Sequence, residues 1–362
     1  MEFFVSIEQH LKWAAELLSL EFAALQFALT HKEIKMRSEV IQKPLTAEQA
    51  RDQTDAFAKY LYSTLFDWMV NKLNVCTCSE SFKLFIGVLD IFGFEKFELN
   101  SLEQFLINLA NEKLQQFFNH HIFKLEQKIY EEEKIDWTVI EFKDNQECLD
   151  LIEKRRPPGV LAILDEETKF PKATDETLIE KMHSNFDKKH EYYDKPRMQK
   201  RHFGIKHYAG LVVYDVKDWR DKNKDEVPEH LERLIKNSTN QFLALLYTDT
   251  NAGDAANKLT VGAQFKDQLT ALMALLTTTE PYFIRCVKPN MLKVADNFDE
   301  QLIHDQLLYA GMLETIRIRR MGYPVRYALG DFWKRYKVFI SINQLISINQ
   351  SISISLTHLL FR

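Results

Sequence analysis

The chain has 362 residues, 46% hydrophobic and 27% charged, which are ordinary globular values and enough length for two or more cores. A net charge of −5 and a pI near 6.2 give no basic footprint for nucleic acid. Cys76, Cys78, Cys148 and Cys286 fall in neither a zinc-ligand nor a redox spacing and read as reduced thiols, no apolar run reaches the length of a membrane span, and Met1 to Ala15 lacks the charged start and apolar centre of a secretory signal.

Met1 to Thr30 reads as mostly amphipathic helix, and His31 to Leu45 as a loop carrying Lys32, Lys35, Arg37 and Lys43. The apolar run from Phe82 predicts a core strand covered on both faces, ending in Asp90 and turning at Gly93. An Asp at the end of such a strand sits where open α/β sheets bind ligands, and there it can hold a water of a Mg²⁺ ion. The Gly93 amide can approach a terminal phosphate from the same turn. Asp-x-x-Gly is equally an ordinary strand-ending turn.

Ser101 and Gln104 have capping-box spacing. Apolar residues then recur from Leu102 through Phe105, Leu109, Phe117, Ile122 and Leu125 to Ile129, predicting one helix of about eight turns, roughly 45 Å long. Acidic residues Glu131 to Glu133 end it, before Ile135-Asp136-Trp137. Asp144 and Glu147 repeat the capping-box spacing, and that helix stops before Pro157-Pro158. A short helix over Val160 to Glu166 leads to Lys169-Phe170-Pro171-Lys172, and Thr174 caps the next helix. The apolar tip between lysines suits a protein contact, or else folds back with Phe170 in a local core. Lys188, Lys189 and His190 form a basic loop.

Phe203 to Val216 alternates and turns near Ala209-Gly210, predicting a hairpin or small sheet, in which His207 reads as structural rather than as a base. In Thr248 to Thr260, Asp249 and Asp254 outnumber Lys258. Tyr282 to Val287 predicts a second core strand, ended by Lys288-Pro289-Asn290. Two short helices follow, broken at Gly311 and Gly322. The end repeats Ile-Ser-Ile-Asn-Gln and reads as a low-complexity tail.

The stretch DIFGFEKFELNSLEQFLINLANEKLQQFFNHHIFKLEQ resembles the second nucleotide switch and relay helix of the myosin motor domain. The blocks KPLTAEQARDQTDAFAKYLYSTLFDWMVNKLN, PPGVLAILDEE, FPKATDETL, HYAGLVVYDV, EPYFIRCVKPN and LETIRIRRMGYPVRY follow the order of a myosin, so the resemblance runs from about Gln9 to about Phe339. It implies an α/β, mainly helical fold: part of a P-loop NTPase-type head with core strands, a long relay helix and a helical actin-binding subdomain. The implied layout is the end of an upper actin-binding subdomain over 1–81, with a contact loop at 31–45, and a core strand and switch over 82–95. Relay helix and loop occupy 96–137, a lower actin-binding subdomain 138–246, and a surface loop 247–260. A helix and core strand occupy 261–290, coupling helices 291–324, the start of a converter 325–340, and the tail 341–362.

The resemblance also implies roles. Asp90 would stand in the Mg²⁺ shell through water, the Gly93 amide on the terminal phosphate of ATP, and Glu95 at gate closure. Actin contacts would come from Lys35, Arg37, Glu39, Lys169, Phe170, Pro171, Lys172, Lys188, Lys189 and Lys258. Glu39 occupies a position that is acidic or phosphorylatable in the family, where a carboxylate supplies the charge a phosphoserine would add. Coupling would run through Phe117, Ile135, Trp137, Gly311 and Gly322. The expected setting is cytoplasmic, on the actin cytoskeleton, without nucleic acid and without a light-chain-binding motif.

No G-x-x-x-x-G-K-[ST] occurs in these residues, nor the Asn-rich turn of a first switch. Both would lie upstream of Met1, so the chain alone is not expected to hydrolyse ATP. Three classes compete on the sequence: a fragment of an actin-based motor, a non-catalytic actin-filament-binding module, and another phosphate-sensing switch such as a GTPase. The missing phosphate loop and guanine-specific motif argue against the third.

Overall fold

The computed structural model describes residues 2–36, 39–77, 83–132, 134, 144–170, 172–224, 227–248, 259–321, 325, 327 and 329–337. In chain order, the first elements are helices α1 (Glu2–Leu17) and α2 (Phe22–Thr30), strands β1 (His31–Met36) and β2 (Glu39–Pro44), and helices α3 (Ala47–Thr77) and α4 (Leu102–Glu132). Helices α5 (Gln146–Glu153), α6 (Val160–Lys169) and α7 (Asp175–Phe186) lead to strands β3 (Tyr193–Asp194), β4 (His202–His207) and β5 (Gly210–Asp215). Helices α8 (Trp219–Asn223), α9 (Glu229–Lys236), α10 (Gln241–Thr248), α11 (Val261–Thr277), α12 (Glu300–Tyr309), α13 (Met312–Met321) and α14 (Leu329–Tyr336) complete the series.

The elements form two compact units, Met1–Asp90 with Lys222–Val261, and Ile91–Asp221 with Gly262–Arg362. In the first, Ala15, Leu25, Ala28, Leu29 and Phe57 pack with Leu231, Ile235, Leu243 and Leu246. The core of this unit therefore joins α1–α3 to α9 and α10, so packing places 222–246 here rather than with the rest of 138–246. Helix α3 opens on a reciprocal cap, with the Thr46 N–H donating to Gln49 Oε1 at 3.2 Å and the Gln49 N–H to Thr46 Oγ1 at 3.3 Å. The expected loop over His31 to Leu45 is instead a two-stranded antiparallel hairpin, with Ile34 opposite Ile41 and Met36 opposite Glu39. Arg233 of α9 holds it through two 2.9 Å bonds to Glu33.

The second unit is built around α4. Leu102, Phe105, Leu106, Leu109 and Phe118 are buried along it, with Phe105 against Phe203, Tyr214 and Trp219 at centroid distances of 5.1–6.1 Å. Each fully buried aromatic or leucine there contributes about 1.5–3 kcal/mol. Strands β3, β4 and β5 form one antiparallel sheet in that order, with β4 and β5 joined by the two-residue turn Tyr208-Ala209 and Gly210 already paired with His207, one position from the predicted turn.

Two predicted strands are absent. Residues 83–97 run without a ladder, with Leu84 91% and Ile86 99% exposed. Tyr282 to Val287 is likewise irregular: Phe283 packs on Phe118 at 4.6 Å, while Tyr282 and Ile284 face outward. The physical reason is the same in both. A strand exists only with a hydrogen-bonded neighbour, and no described residue pairs with either segment. The core strands expected within 82–95 and 261–290 are therefore extended apolar segments over 83–95 and 282–287, while the helix expected in 261–290 is α11.

Candidate functional site

The turn after Asp90 is positioned by α4. Glu95 is clamped on both backbone groups by Asn108: its N–H donates to Asn108 Oδ1 at 2.8 Å, and its C=O accepts from Asn108 Nδ2 at 2.7 Å. One turn further along the helix, Asn111 Nδ2 donates to the Phe92 carbonyl at 3.0 Å. Gln104 Nε2 reaches the Glu95 carboxylate at 3.3 Å. The Ser101 N–H donates to Gln104 Oε1 at 3.0 Å, so the predicted cap also aims Gln104. Phe94 is buried against His207, Tyr208 and Tyr309, each at 5.4 Å.

Gly93 lies exposed between these anchors. Its amide makes no hydrogen bond among the described residues, and a Cβ added to it would meet nothing within 4 Å. The Asp90 carboxylate is exposed too, with no hydrogen bond or ion pair among the described residues. A free carboxylate and a free backbone N–H separated by three residues fit a hydrated Mg²⁺ ion and a phosphate oxygen respectively.

Behind the turn lies a buried polar chain that sequence reasoning did not assemble. Asn108 Nδ2 also donates to the Tyr214 hydroxyl at 2.9 Å. Tyr214 meets His207 Nε2 at 2.9 Å, and His207 Nδ1 meets Glu112 Oε2 at 2.8 Å. Glu112 accepts further from the Tyr208 N–H at 3.2 Å and from Asn145 Nδ2 at 2.6 Å. The signal available in the sequence was Asn108 and Glu112, polar residues one turn apart inside an apolar helical pattern. Cys148 comes within 4.8 Å of Glu112 and His207, a spacing that could ligate a metal. Burial pushes its thiol pKa up, which keeps it protonated, and the other two groups are already engaged by hydrogen bonds.

The predicted tip between α6 and α7 presents its aromatic, and hydrogen bonds tie the residues on either side of it. Phe170 is 58% exposed, which removes the alternative of a local core position, and Lys169 and Lys172 beside it are exposed. The turn closes through the Ala173 N–H donating to the Phe170 carbonyl at 3.1 Å. Thr174 and Thr177 form the capping box of α7. Glu167 ties the two helices, accepting from Thr177 Oγ1 at 2.8 Å and pairing with Lys181 at 3.2 Å. Lys188 and Lys189 stand at the other end of α7, about 18 Å along the helix axis from this tip, so they do not join it. Lys189 Nζ donates to the Ser184 carbonyl at 2.6 Å, closing the end of that helix.

Of the other candidates, Lys35 and Glu39 lie beside the tip of the β1–β2 hairpin, where the backbone alone is described. Phe117 is half-buried, 6.2 Å from Phe283. Gly311 separates α12 from α13 at φ +67°, beside the buried Gln115 of α4. Arg37, Ile135, Trp137, Pro171, Lys258 and Gly322 lie outside the described residues, as do the loop 249–258 and the tail 341–362. The second predicted capping box does not form: Asn145 occupies the N-cap position of α5 with no side-chain cap bond, and Asp144 Oδ1 accepts from the Gln146 N–H at 3.2 Å.

The family model for the myosin head (motor domain) matches residues 4–360, continuing past Phe339 into the low-complexity end. A myosin-I heavy chain from Dictyostelium discoideum is 48% identical over 342 residues, covering 92% of this chain and 14% of that protein. Myosin-6 from Arabidopsis thaliana is 45% identical over 331 residues, covering 91% of this chain and 22% of that protein. Unconventional myosin heavy chain 6 from Caenorhabditis elegans is 46% identical over 334 residues, 91% and 16% respectively. The chain thus spans under a quarter of the length of these relatives.

Proposed function

The chain belongs to the myosin head family, and from that premise we propose that it is the filament-docking and coupling part of an actin-based motor. The observation that carries this reading is the tip between α6 and α7, a capped and cross-tied turn that offers Phe170 to solvent between two free lysines. An apolar side chain held out by a rigid scaffold loses little entropy on docking, and exposed aromatics of this kind anchor interfaces. Lys169 and Lys172 would meet acidic groups of the filament at its rim.

The second part of the reading is the turn at Asp90, Gly93 and Glu95. Asp90 would hold Mg²⁺ through water, and the Gly93 N–H would donate to a terminal phosphate oxygen. ATP, when bound, supplies the phosphoryl group, and the chain's own part is to sense it. A shift of the turn would reach the α12–α13 junction directly, because Phe94 packs on Tyr309 at 5.4 Å and Gly311 lies beside Gln115 of α4, and it would also pass along the 31 residues of α4, about 45 Å, toward that helix's far end.

Cosedimentation of the 362-residue chain with actin filaments tests the docking role. The chain should pellet with filaments, and Phe170→Ser should weaken binding about tenfold, the loss of one well-placed anchor. Lys188→Ala, at the far end of α7, should change it less than twofold, on the scale of an exposed charge. A chain that stays in the supernatant at every filament concentration sinks the reading.

A further inference from the structure

We infer that Asn108, Tyr214, His207 and Glu112 form a positioning relay that fixes the Phe94–Glu95 backbone of the phosphate-sensing turn. The inference rests on reading residues 90–95 as that turn. The donors and acceptors decide how the relay works. Glu112 Oε2 is a carboxylate oxygen and can only accept, so the 2.8 Å contact makes His207 Nδ1 the donor. In the tautomer with its proton on Nδ1, His207 has its lone pair on Nε2, and at 2.9 Å that nitrogen accepts from the Tyr214 O–H. The Tyr214 oxygen is left to accept from Asn108 Nδ2 at 2.9 Å. This sets the Asn108 amide with its NH₂ toward Tyr214 and the Glu95 carbonyl, and its oxygen toward the Glu95 N–H.

Every member thus has a single role, and the chain of donors runs one way from the turn to Glu112. Asn108, Glu112 and the His207 side chain are 0% exposed and Tyr214 is 0% exposed, so water does not compensate a lost partner. The far end is fixed independently. Glu112 also accepts from Asn145 at the start of α5 and from the Tyr208 N–H. Flipping the Asn108 amide would set NH₂ against N–H and oxygen against oxygen at Glu95, and the relay prevents that flip. None of these residues touches nucleotide in this reading. They act on the turn through Glu95 and Phe94.

Amide hydrogen exchange of the purified 362-residue chain, resolved at Glu95, tests the relay without nucleotide or filament. A failure there therefore leaves the docking result standing, and a docking failure leaves the relay standing. The reporter for the surrounding fold is the Lys206 amide, bonded to the Tyr192 carbonyl at 2.9 Å. Tyr214→Phe removes one hydroxyl and no volume, so it keeps the core. It removes the hydrogen bonds to Asn108 and to His207 and should speed Glu95 exchange at least about tenfold, with Lys206 unchanged. His207→Leu should do the same, and His207→Gln, which restores a polar atom facing Tyr214, should return Glu95 toward the original rate. Unchanged exchange at Glu95 in Tyr214→Phe overturns the proposal. So does acceleration of Lys206 by the same factor, because the residues would then only stabilise the unit as a whole.

Discussion

At Gly93 the described structure places no steric demand on the residue. A Cβ there meets nothing within 4 Å, and the backbone is not in the left-handed region. The contrast is Gly311, where φ is +67° and a Cβ would run into the buried Gln115 side chain. The two glycines should therefore separate folding from function. Gly93→Ala should leave the thermal stability of the 362-residue chain within about 0.5 kcal/mol, as expected for a strain-free exposed site. In a head completed with a relative's phosphate loop, the same change would put a Cβ where the backbone has to approach the phosphate, and by holding the N–H off the phosphate oxygen it should lower ATP turnover by on the order of a hundredfold. Gly311→Ala should instead cost about 1–2 kcal/mol of stability through left-handed strain and displaced packing. Equal melting shifts for the two variants would contradict this division.

Elements differ in how far their formation depends on distant partners, and that decides which of them can be read from sequence. The cap at Thr174, the Ser101–Gln104 bond at the start of α4 and the turn before Gly210 each lie within a few residues, and each is found at or within one residue of where the pattern puts it. The β1–β2 hairpin escaped because its apolar pair Ile34 and Ile41 is outnumbered by charge, and because Arg233, which holds it, is 200 positions away. The segments at 83–97 and 282–287 carry strand-like composition without a neighbour to pair with. The relay behind Glu95 draws on α4, β4 and β5, so only Asn108 and Glu112 left a trace in one local pattern.

Helix α7 carries a prediction of its own. Burial holds the pKa of His183 and of His190 below the ordinary imidazole range, with Lys195 adding to the effect at His183 and nearby carboxylates opposing it at His190. Both residues lie within or just past α7, and His183 Nδ1 meets the Tyr193 hydroxyl at 2.8 Å. With the folded pKa lowered, the unfolded chain binds more protons as pH falls through its own imidazole pKa. Stability contributed by the neutral rings is then present above about pH 6.5 and is lost below it. Urea unfolding followed between about pH 7.5 and pH 5.5 should show a falling midpoint, and His183→Gln should flatten the slope. A midpoint that rises on acidification would reverse the assigned sign.

For the chain as a whole, the proposed docking role raises the question of where filament affinity would come from and whether turnover would accompany it. The 362 residues contain no phosphate-loop motif, and in the proposed reading the turn at Gly93 senses a phosphate that other residues hold. Purified alone, the chain should release no phosphate from ATP above background, with or without actin. Its docking should also depend little on salt. The net charge is −5, and in Thr248 to Thr260 two aspartates face one lysine, so long-range attraction to an acidic filament is weak. Screening acts over about 10 Å at 0.1 M salt and removes only what steering supplies. Binding carried by Phe170 and the cross-tied α6–α7 turn depends on close contact and survives that screening. Association measured from about 25 to 200 mM salt should therefore change by less than about threefold, while Phe170→Ser lowers affinity at every salt concentration. A steep salt dependence abolished by Lys258→Ala would instead place the binding energy in the charged loop, and measurable actin-stimulated phosphate release would show that the chain completes a nucleotide site by itself.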